Sequence, residues 1–223
     1  MCGRFALFSN IDVILKYADL IDSDLQWTPH YNISPSMAVP VLINKSNQIA
    51  IDMQKWGYIP GFTTAHSQNK SIFTIINAKA EMINEKPLFK TSFLKRRCLI
   101  PANGFYEWRK DDRQPFYITI KDQLMIFFAG IWNSPHTADQ TTQGNFAIIT
   151  TNANSELEII HQRMPVIIHP GRIKEWLFAS DQLLLQDMLR PYTPEETLVQ
   201  PVSREVNHSK IDHPELIKKI ENL

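Results

Sequence analysis

Near the start of the chain, the segment SNIDVILKYADL (residues 9–20) carries apolar residues that recur mostly three or four positions apart. This spacing places them on one face of a helix with 3.6 residues per turn. Ser9, followed by Asp12 three residues later, has the sequence pattern of a helix N-cap. We therefore predict a first helix that begins after Ser9.

Shorter segments, in which apolar and polar residues alternate or apolar residues run together, predict β-strands. Two hairpins are predicted: PVLINKSNQIAIDMQKW around the turn NKSN, and RRCLIPANGFYEW with FYITI across the polar loop KDDRQ. Further strands are predicted in SIFTIINA, LMIFFAGIW, GNFAIITT and VQPVSREV. Helical segments are predicted in AEMINE, KPLFKTSFL, NSELEIIHQ, GRIKEWLFASDQLLLQDML and HPELIKKIENL.

The order of these elements indicates the fold class. Strands joined by hairpins, without a regular alternation of strand and helix, favour a mainly antiparallel sheet. Neither an internal repeat nor a long polar linker interrupts the chain. We expect an α+β fold in a single domain over residues 1–223, with a curved, mostly antiparallel, barrel-like β-sheet core flanked by short helices.

Composition and charge narrow the function classes. Apolar residues make up 43% of the 223 residues, and Lys plus Arg (23) equal Asp plus Glu (23). The balance gives no support for a nucleic-acid or membrane partner, so any such site must rest on a local patch. The sequence shows neither a secretory signal nor a bilayer-spanning segment. We expect no membrane partner and a cytoplasmic location, at the nucleoid if the cell is bacterial.

Cysteine and histidine usage gives no metal-binding pattern. The chain has two cysteines, Cys2 and Cys98, and seven histidines, with neither CxxC nor HExxH spacing. We therefore expect reduced thiols, no metal and no cofactor. Cys98 lies in the apolar run CLIP and is expected to pack in the core.

Cys2 is a candidate nucleophile because removal of Met1 would leave an α-amine and a thiol on adjacent carbons. The ordinary pKa values are about 7.7–8.0 for an α-amine and about 8.5 for a thiol, so both nucleophiles exist near neutral pH. An aldehyde condenses with such an amine to an imine, and the thiolate then closes a thiazolidine ring. Position alone favours the other interpretation, an ordinary thiol near a chain terminus.

Glu107 and His161 are candidate acid-base groups. In GFYEW, strand alternation places Phe105 and Glu107 on one face, and a carboxylate desolvated by aromatic rings has a raised pKa. The alternative is a strand Glu that faces solvent. His161, in EIIHQRMP, lies at the end of a predicted helix, where it could act as a general acid or base or could simply cap the helix.

Several residues could contact an anion. Asn77 either caps a helix or marks a helix start whose free N–H groups bind an anion, with Lys79 close by. The planar guanidinium of Arg163 can donate two hydrogen bonds to a phosphate, although an Arg of this kind commonly forms a surface salt bridge. Residues 95–97, together with Arg4, could form a basic track or a solvated face.

Five motifs occur in a fixed order: MCGRF, WGYIPGF, NAKAE, RRCLIPANGFYEW and HQRMP. Together they closely resemble the SOS-response-associated peptidase (SRAP) family, whose members crosslink to abasic sites in single-stranded DNA. FAGIW, FAIITT and PVSREV fit the same family, so the resemblance extends from Met1 to about Val206. The family has a mixed α/β domain with a curved, mostly antiparallel sheet core.

The resemblance implies that Met1 is cleaved and that Cys2 forms a thiazolidine with the ring-opened sugar aldehyde. It implies that Asn77 orients the reacting groups, Glu107 handles protons during amine attack, and His161 assists ring opening. The same Glu and His are associated with crosslink reversal and with self-cleavage of Met1. The implied partner is single-stranded DNA with an abasic site, bound by a monomer through Arg4, Lys79, Phe62 and Arg163.

Three positions depart from the family's usual motifs. Lys79 replaces an Arg and loses its bidentate grip on phosphate, and Phe62 replaces a Trp that would stack on a base. Asn103 replaces an Asp before GFYEW. These changes bear on DNA affinity more than on the chemistry.

Three other functions share parts of this pattern. An N-terminal-nucleophile amidohydrolase would use Cys2 and its own amine on a small amide. A thiol hydrolase with a Cys2–His161 pair would need no free α-amine. A non-catalytic single-strand-binding module would form no covalent adduct.

Overall fold

The structure is a computed structural model that describes residues 2–21, 23–60, 74–134 and 143–221. Its strands are β1 (Phe5–Leu7), β2 (His30–Ile33), β3 (Ala38–Lys45), β4 (Gln48–Trp56), β5 (Asn77–Lys79), β6 (Arg97–Ala102), β7 (Gly104–Trp108), β8 (Pro115–Ile120), β9 (Ile126–Asn133), β10 (Asn145–Asn152), β11 (Arg163–Pro165), β12 (Ile167–Ile168) and β13 (Thr197–Pro201).

The helices are short and lie between the strands. They are α1 (Ile11–Ala18), α2 (Pro87–Lys95), α3 (Ser155–Glu158), α4 (Ile173–Phe178) and α5 (Gln182–Asp187). Single 3₁₀ turns lie at Ala80–Met82, Pro170–Arg172, Pro194–Glu196, Arg204–Asn207 and Pro214–Ile217. Within the described ranges, no helix has both the length and the apolar character needed to cross a membrane.

The larger sheet closes on itself. Its strands pair in the order β10, β4, β3, β6 and β9, and β9 pairs again with β10. We call this closed ring the barrel. All of its pairs are antiparallel except β4 with β10, and β5 adds a second parallel pair to β10. The predicted α+β fold with a curved, mostly antiparallel, barrel-like core is therefore confirmed.

The smaller sheet has five antiparallel strands in the order β13, β8, β7, β1 and β2. We call it the five-stranded sheet. One face packs on the barrel, where the Phe128 ring lies 5.7 Å from the Phe5 ring and 5.9 Å from the Phe105 ring. The other face forms a second core with the C-terminal segment, which includes Tyr106 and Val206. The five-stranded sheet is thus buried on both faces.

The segment RRCLIPANGFYEW is divided between the two sheets at Asn103. Asn103 Oδ1 accepts hydrogen bonds from the backbone N–H of Phe8 and Ser9, and Nδ2 donates to Ser9 Oγ and Leu124 O. The next residue, Gly104, allows a close approach, because a Cβ there would lie 2.6 Å from the carbonyl oxygen of Ile118. Asn103 therefore satisfies three backbone groups and the Ser9 hydroxyl where the chain leaves the barrel.

Most predicted elements are confirmed. The hairpin in PVLINKSNQIAIDMQKW is β3 and β4, and Ser46 and Asn47 have φ values of 52° and 64°, as a two-residue hairpin turn requires. The hairpin of β7 and β8 crosses the KDDRQ loop. The long helix predicted in GRIKEWLFASDQLLLQDML is instead two helices, α4 and α5, separated by an extended residue, Ala179.

Two predictions about element ends are wrong, and a third is only partly tested by the described residues. Ser9 does not cap α1, because it is buried and bonded to Asn103, and the N-cap position is Asn10. In its described part, up to residue 221, HPELIKKIENL forms only the 3₁₀ turn Pro214–Ile217, after which a bridge between Val202 and Lys219 holds the chain extended. The strand predicted in SIFTIINA lies partly outside the described residues, and its described part is a strand only over β5.

Replacing Asn103 tests this account of the boundary between the sheets. Asn103→Asp keeps the two acceptor contacts but removes the donor to Leu124 O and buries a charge. We expect the free energy of unfolding at pH 7 to fall by about 1–3 kcal/mol, measured by urea denaturation. Asn44→Asp is the matched control, since Asn44 only accepts a bond from Asn47 N in an exposed turn. Equal stability of both variants would contradict the role of Asn103.

Candidate active site

Cys2 lies just before β1, on the side of the five-stranded sheet that packs on the barrel. The pairing of β1 with β7 continues past the strand, since Tyr106 N donates to Arg4 O at 3.0 Å. The start of the chain therefore lies alongside Glu107. Cys2 is fully buried, and burial raises the pKa of its thiol, with the negative charge of Glu107 raising it further.

Asn77 lies in β5, which is paired in parallel with β10. Its Nδ2 donates to the carbonyl oxygen of Cys2 at 2.9 Å. Its Oδ1 is buried and has no hydrogen-bond partner within the described part of the chain. Asn77 is not a helix N-cap, because the following 3₁₀ turn begins only after Lys79.

Glu107 is on the face of β7 that was predicted from strand alternation. Phe105 on the same face belongs to the main core, whereas Tyr106 and Trp108 pack in the second core. The Glu107 side chain is only 3% exposed. Burial raises its pKa, and positively charged neighbours, His161 among them, oppose the rise. The predicted desolvation of this carboxylate is confirmed.

His161 follows α3 after two intervening residues, and its N–H still donates to Leu157 O at 2.9 Å. Its Nδ1 lies 3.8 Å from Oε1 of Glu107. The same Nδ1 accepts from Arg163 N at 3.0 Å and lies 2.9 Å from Arg163 O. With 28% of its side chain exposed, the imidazole connects the buried Glu107 to the surface.

The structure thus brings together the four residues predicted as catalytic, and it does so from two different sheets. Cys2 and Glu107 belong to the five-stranded sheet. Asn77 and His161 are held at the barrel strand β10, by β5 over residues 148–150 and by β11 over residues 150–152. The candidate site is therefore a product of the contact between the sheets.

The residues predicted to bind DNA are in different environments. Lys79 is exposed, and Phe62 lies outside the described residues. Arg4 points inward, where its Nη1 donates to Asn32 Oδ1 at 2.7 Å and to Val206 O at 2.9 Å. The Arg163 guanidinium is held by Glu81 (described below). Contact of these residues with DNA stays a prediction.

The basic track predicted through residues 95–97 is wrong at Arg97. This residue is only 5% exposed, and burial lowers its pKa to about 10. Its guanidinium donates to the carbonyl oxygens of four residues: Phe93, Leu94, Trp176 and Ala179. Arg97 therefore ties α2 and α4 to the barrel and is not available to a phosphate.

Sequence reasoning missed two groups beside the site. One is Glu81, whose carboxylate accepts from Arg163 Nη1 at 2.5 Å and from Nη2 at 2.9 Å. The other is Asn32, which accepts from Arg4 and donates to the carbonyl oxygens of His208 and Ile211. Both join segments far apart in the chain, so no local pattern in the sequence indicates them.

A groove of 410 Å³ extends from His161 along the surface. Trp108, Lys110, Arg113 and Ile159 contribute to its walls. A groove of 580 Å³ lies along α1 beside Tyr17 and Leu124, and none of the candidate residues lines it. Within the described ranges, no three His, Cys, Asp or Glu side chains are placed to hold a metal ion.

The family model described as SOS response associated peptidase (SRAP) matches residues 1–209. Among curated relatives, the abasic site processing protein YoqW of Bacillus subtilis is 37% identical over 98% of this chain and 99% of its own length. The abasic site processing protein YedK of Escherichia coli is 32% identical over 79% of each chain.

Solved structures give the same fold. A protein from Bacteroides thetaiotaomicron superimposes with a TM-score of 0.83 at 24% identity, over 98% of this chain and all of its own. A phage-related protein from Bordetella bronchiseptica gives a TM-score of 0.71 at 28% identity, over 91% of this chain and 95% of its own.

The raised pKa of Glu107 predicts how its replacement changes stability with pH. The folded state binds a proton that the unfolded state releases near pH 4.5, so the charged carboxylate lowers the stability increasingly as pH rises from there toward the folded pKa. Glu107→Gln removes this effect. We expect the variant to gain stability over the parent as pH rises from 4.5 to 8, by about 1.4 kcal/mol for each unit of pKa shift.

Urea denaturation across this pH range measures the difference. Glu81→Gln is the opposite control, because the hydrogen bonds from Arg163 lower the pKa of Glu81. The charged Glu81 carboxylate stabilises the parent above pH 4.5, and this stabilisation is lost as the pH falls through the lowered pKa of Glu81. A stability gain of Glu107→Gln that does not grow with pH would contradict the desolvation of Glu107.

Proposed function

Because the chain belongs to the SOS response associated peptidase (SRAP) family, we propose that it processes abasic sites in DNA. The substrate is the ring-opened sugar of an abasic site in single-stranded DNA, and the product is a covalent crosslink through Cys2. The relatives named as abasic site processing proteins support the substrate, and the arrangement around Cys2 supports the chemistry.

The reaction begins with hydrolysis of the Met1–Cys2 peptide bond, which consumes one water and leaves Cys2 with a free α-amine. The amine attacks the aldehyde carbon, and the resulting carbinolamine loses water to give an imine. The Cys2 thiol then adds to the imine carbon, and its proton passes to the nitrogen. The product is a thiazolidine, formed with the net loss of one water.

The contact between Asn77 and the Cys2 carbonyl is the observation that carries this proposal. At 2.9 Å, it fixes the residue whose nitrogen and sulfur must both reach one carbon atom. Holding reacting groups together in this way contributes about 7–11 kcal/mol in the best intramolecular cases. The buried Oδ1 of Asn77, which has no hydrogen-bond partner among the described residues, lies on the same amide and is available to orient an amine.

Glu107 and His161 move the protons. A carboxyl group whose pKa is raised by burial gives and takes a proton closer to neutral pH than an exposed Glu does. We assign Glu107 to protonate the departing carbinolamine oxygen. His161, 3.8 Å from Glu107 and partly exposed, assists opening of the sugar ring and exchanges protons with solvent. The same pair serves self-cleavage of Met1 and crosslink reversal.

DNA is held through its backbone and not through its sequence. An abasic site in a single strand presents an aldehyde without base flipping, so the aldehyde itself is recognised. Lys79 is the proposed phosphate contact and Phe62 the proposed stacking residue. Arg4 and Arg163 are proposed to join them only by exchanging protein acceptors for a phosphate. The protein acts as a monomer in the cytoplasm, at the nucleoid if the cell is bacterial.

Covalent capture by Cys2 is tested with an oligonucleotide that carries one abasic site. We expect a slower band on a denaturing gel, with a mass equal to the protein without Met1 plus the oligonucleotide minus one water. Cys2→Ala, a small buried replacement, is the matched control and should form no such band. A band of equal intensity from Cys2→Ala would mean that another residue is the nucleophile. Turnover of a small amide without DNA would favour the N-terminal-nucleophile amidohydrolase.

The acid-base roles are tested by Glu107→Gln and His161→Ala, using protein from which Met1 has been removed. We expect each to slow adduct formation by about 10²–10⁴-fold, as for loss of a general acid or base. Single-turnover gel assays measure the rate, and circular dichroism checks the fold. Glu158→Gln, an exposed carboxylate in the adjacent α3, is the control. Parent-like rates in both test variants would remove the proposed roles.

A further inference from the structure

Both Nη atoms of the Arg163 guanidinium are fully engaged by protein groups. Nη1 donates to Glu81 Oε1 at 2.5 Å and Asn152 Oδ1 at 2.8 Å, and Nη2 donates to Glu81 Oε2 at 2.9 Å and Thr150 O at 2.5 Å. The two Nη atoms carry four N–H groups, so all four are used. The side chain is only 13% exposed. A phosphate therefore reaches this fork only by displacing Glu81 or another acceptor.

The backbone of the same residue holds the His161 ring. Arg163 N lies 3.0 Å and Arg163 O lies 2.9 Å from Nδ1 of His161. The N–H supports an unprotonated Nδ1, and the carbonyl supports a protonated one. The peptide groups at residue 163 thus hold the imidazole in place through Nδ1.

We propose that Glu81 is a positioning residue for His161 and acts through Arg163. The Glu81 carboxylate accepts two hydrogen bonds from the Arg163 guanidinium and so fixes the position of residue 163. The peptide groups of residue 163 then hold Nδ1 of His161 and keep its ring beside Glu107. The expected effect of Glu81 on the rate of adduct formation rests on the proposed abasic-site chemistry. The expected effect of Glu81 on the position of the His161 ring does not depend on that chemistry.

Two features make Glu81 suitable for this role. A bidentate Arg–carboxylate pair fixes orientation as well as distance, which a single contact does not. Glu81 also lies in the 3₁₀ turn that directly follows β5, the strand that carries Asn77. The pair therefore joins the segment that holds Cys2 to the segment that holds His161, across 82 residues of sequence.

The alternative is that Glu81 competes with DNA for Arg163. In that case, removal of the carboxylate would free the fork for a phosphate, tighten DNA binding and steepen its salt dependence by about one phosphate contact. Positioning of His161 predicts a different result, because the rate at saturating DNA would fall while the affinity would not change. Measuring both DNA affinity and the rate at saturating DNA therefore distinguishes the two hypotheses.

The experiment compares three variants of the full chain: Glu81→Gln, the double variant Glu81→Gln/Asn152→Asp, and Glu85→Gln. The double variant returns a carboxylate to Nη1 of Arg163 from β10. Glu85→Gln removes the same charge from an exposed position four residues away. The readouts are adduct rate at saturating abasic oligonucleotide, DNA affinity, and the ring-nitrogen NMR shifts of His161 without DNA.

We expect Glu81→Gln to lower the saturated rate about tenfold, to leave DNA affinity within twofold, and to shift the His161 ring nitrogens. The double variant should recover most of the rate and of the parent NMR shifts, and Glu85→Gln should match the parent. Unchanged rate and shifts in Glu81→Gln, or tighter DNA binding at an unchanged saturated rate, would overturn the proposal.

Failure of the proposed function is a separate result. If the parent forms no adduct, the abasic-site chemistry is wrong, but the NMR shifts still decide whether Glu81 controls His161. If Glu81→Gln does not fold, Asn152→Ala removes a different acceptor of the same guanidinium and must shift the His161 ring nitrogens away from their positions in the parent. Parent-like shifts in that variant would also overturn the proposal.

Discussion

The packing of the five-stranded sheet on the barrel is the constraint on which the candidate site depends. Phe5 and Phe105 both contact Phe128 of the barrel, and this contact fixes which face of β7 packs on the barrel. Because side chains alternate along a strand, the register that buries Phe105 also buries Glu107. A slip by one residue would move Glu107 to the other face and separate it from Cys2 and His161. The carboxylate is therefore buried by aromatic packing two residues away.

The sequence was sufficient for features that arise within one element. Alternation in GFYEW predicts that Glu107 shares a face with Phe105, and apolar patterning predicts the hairpin of β3 and β4. The sequence is insufficient where a feature joins distant segments. Asn77 meets Cys2 across 75 residues, and the prediction of Ser9 as a helix cap fails because its partner, Asn103, is 94 residues away. The helical pattern of the C-terminal segment failed because pairing with Val202 outweighs a weak local propensity.

Charge is organised locally in this protein. The formal net charge is zero, and the buried or half-buried arginines are already matched by protein acceptors: Arg97 by four carbonyl oxygens, and Arg163 by Glu81 and its neighbours. Of the described residues predicted to contact DNA, Lys79 alone is exposed. Among these residues, Lys79 is therefore the one placed to attract a phosphate backbone, and in the proposed function the chemistry of the aldehyde distinguishes damaged from undamaged DNA.

The same burial that builds the site also orders the proposed chemical steps. It raises the pKa of the Cys2 thiol and of the Glu107 carboxyl, so both groups retain their protons to higher pH than exposed ones. A protonated thiol is a poor nucleophile, which leaves the amine to attack the aldehyde first. A protonated carboxyl is the donor needed when the carbinolamine oxygen leaves as water. The sulfur then reacts with an imine, a stronger electrophile than the aldehyde when protonated, and delivers its proton in the same step. Desolvation thus disfavours direct thiol addition to the aldehyde and favours the sequence that ends in a closed ring.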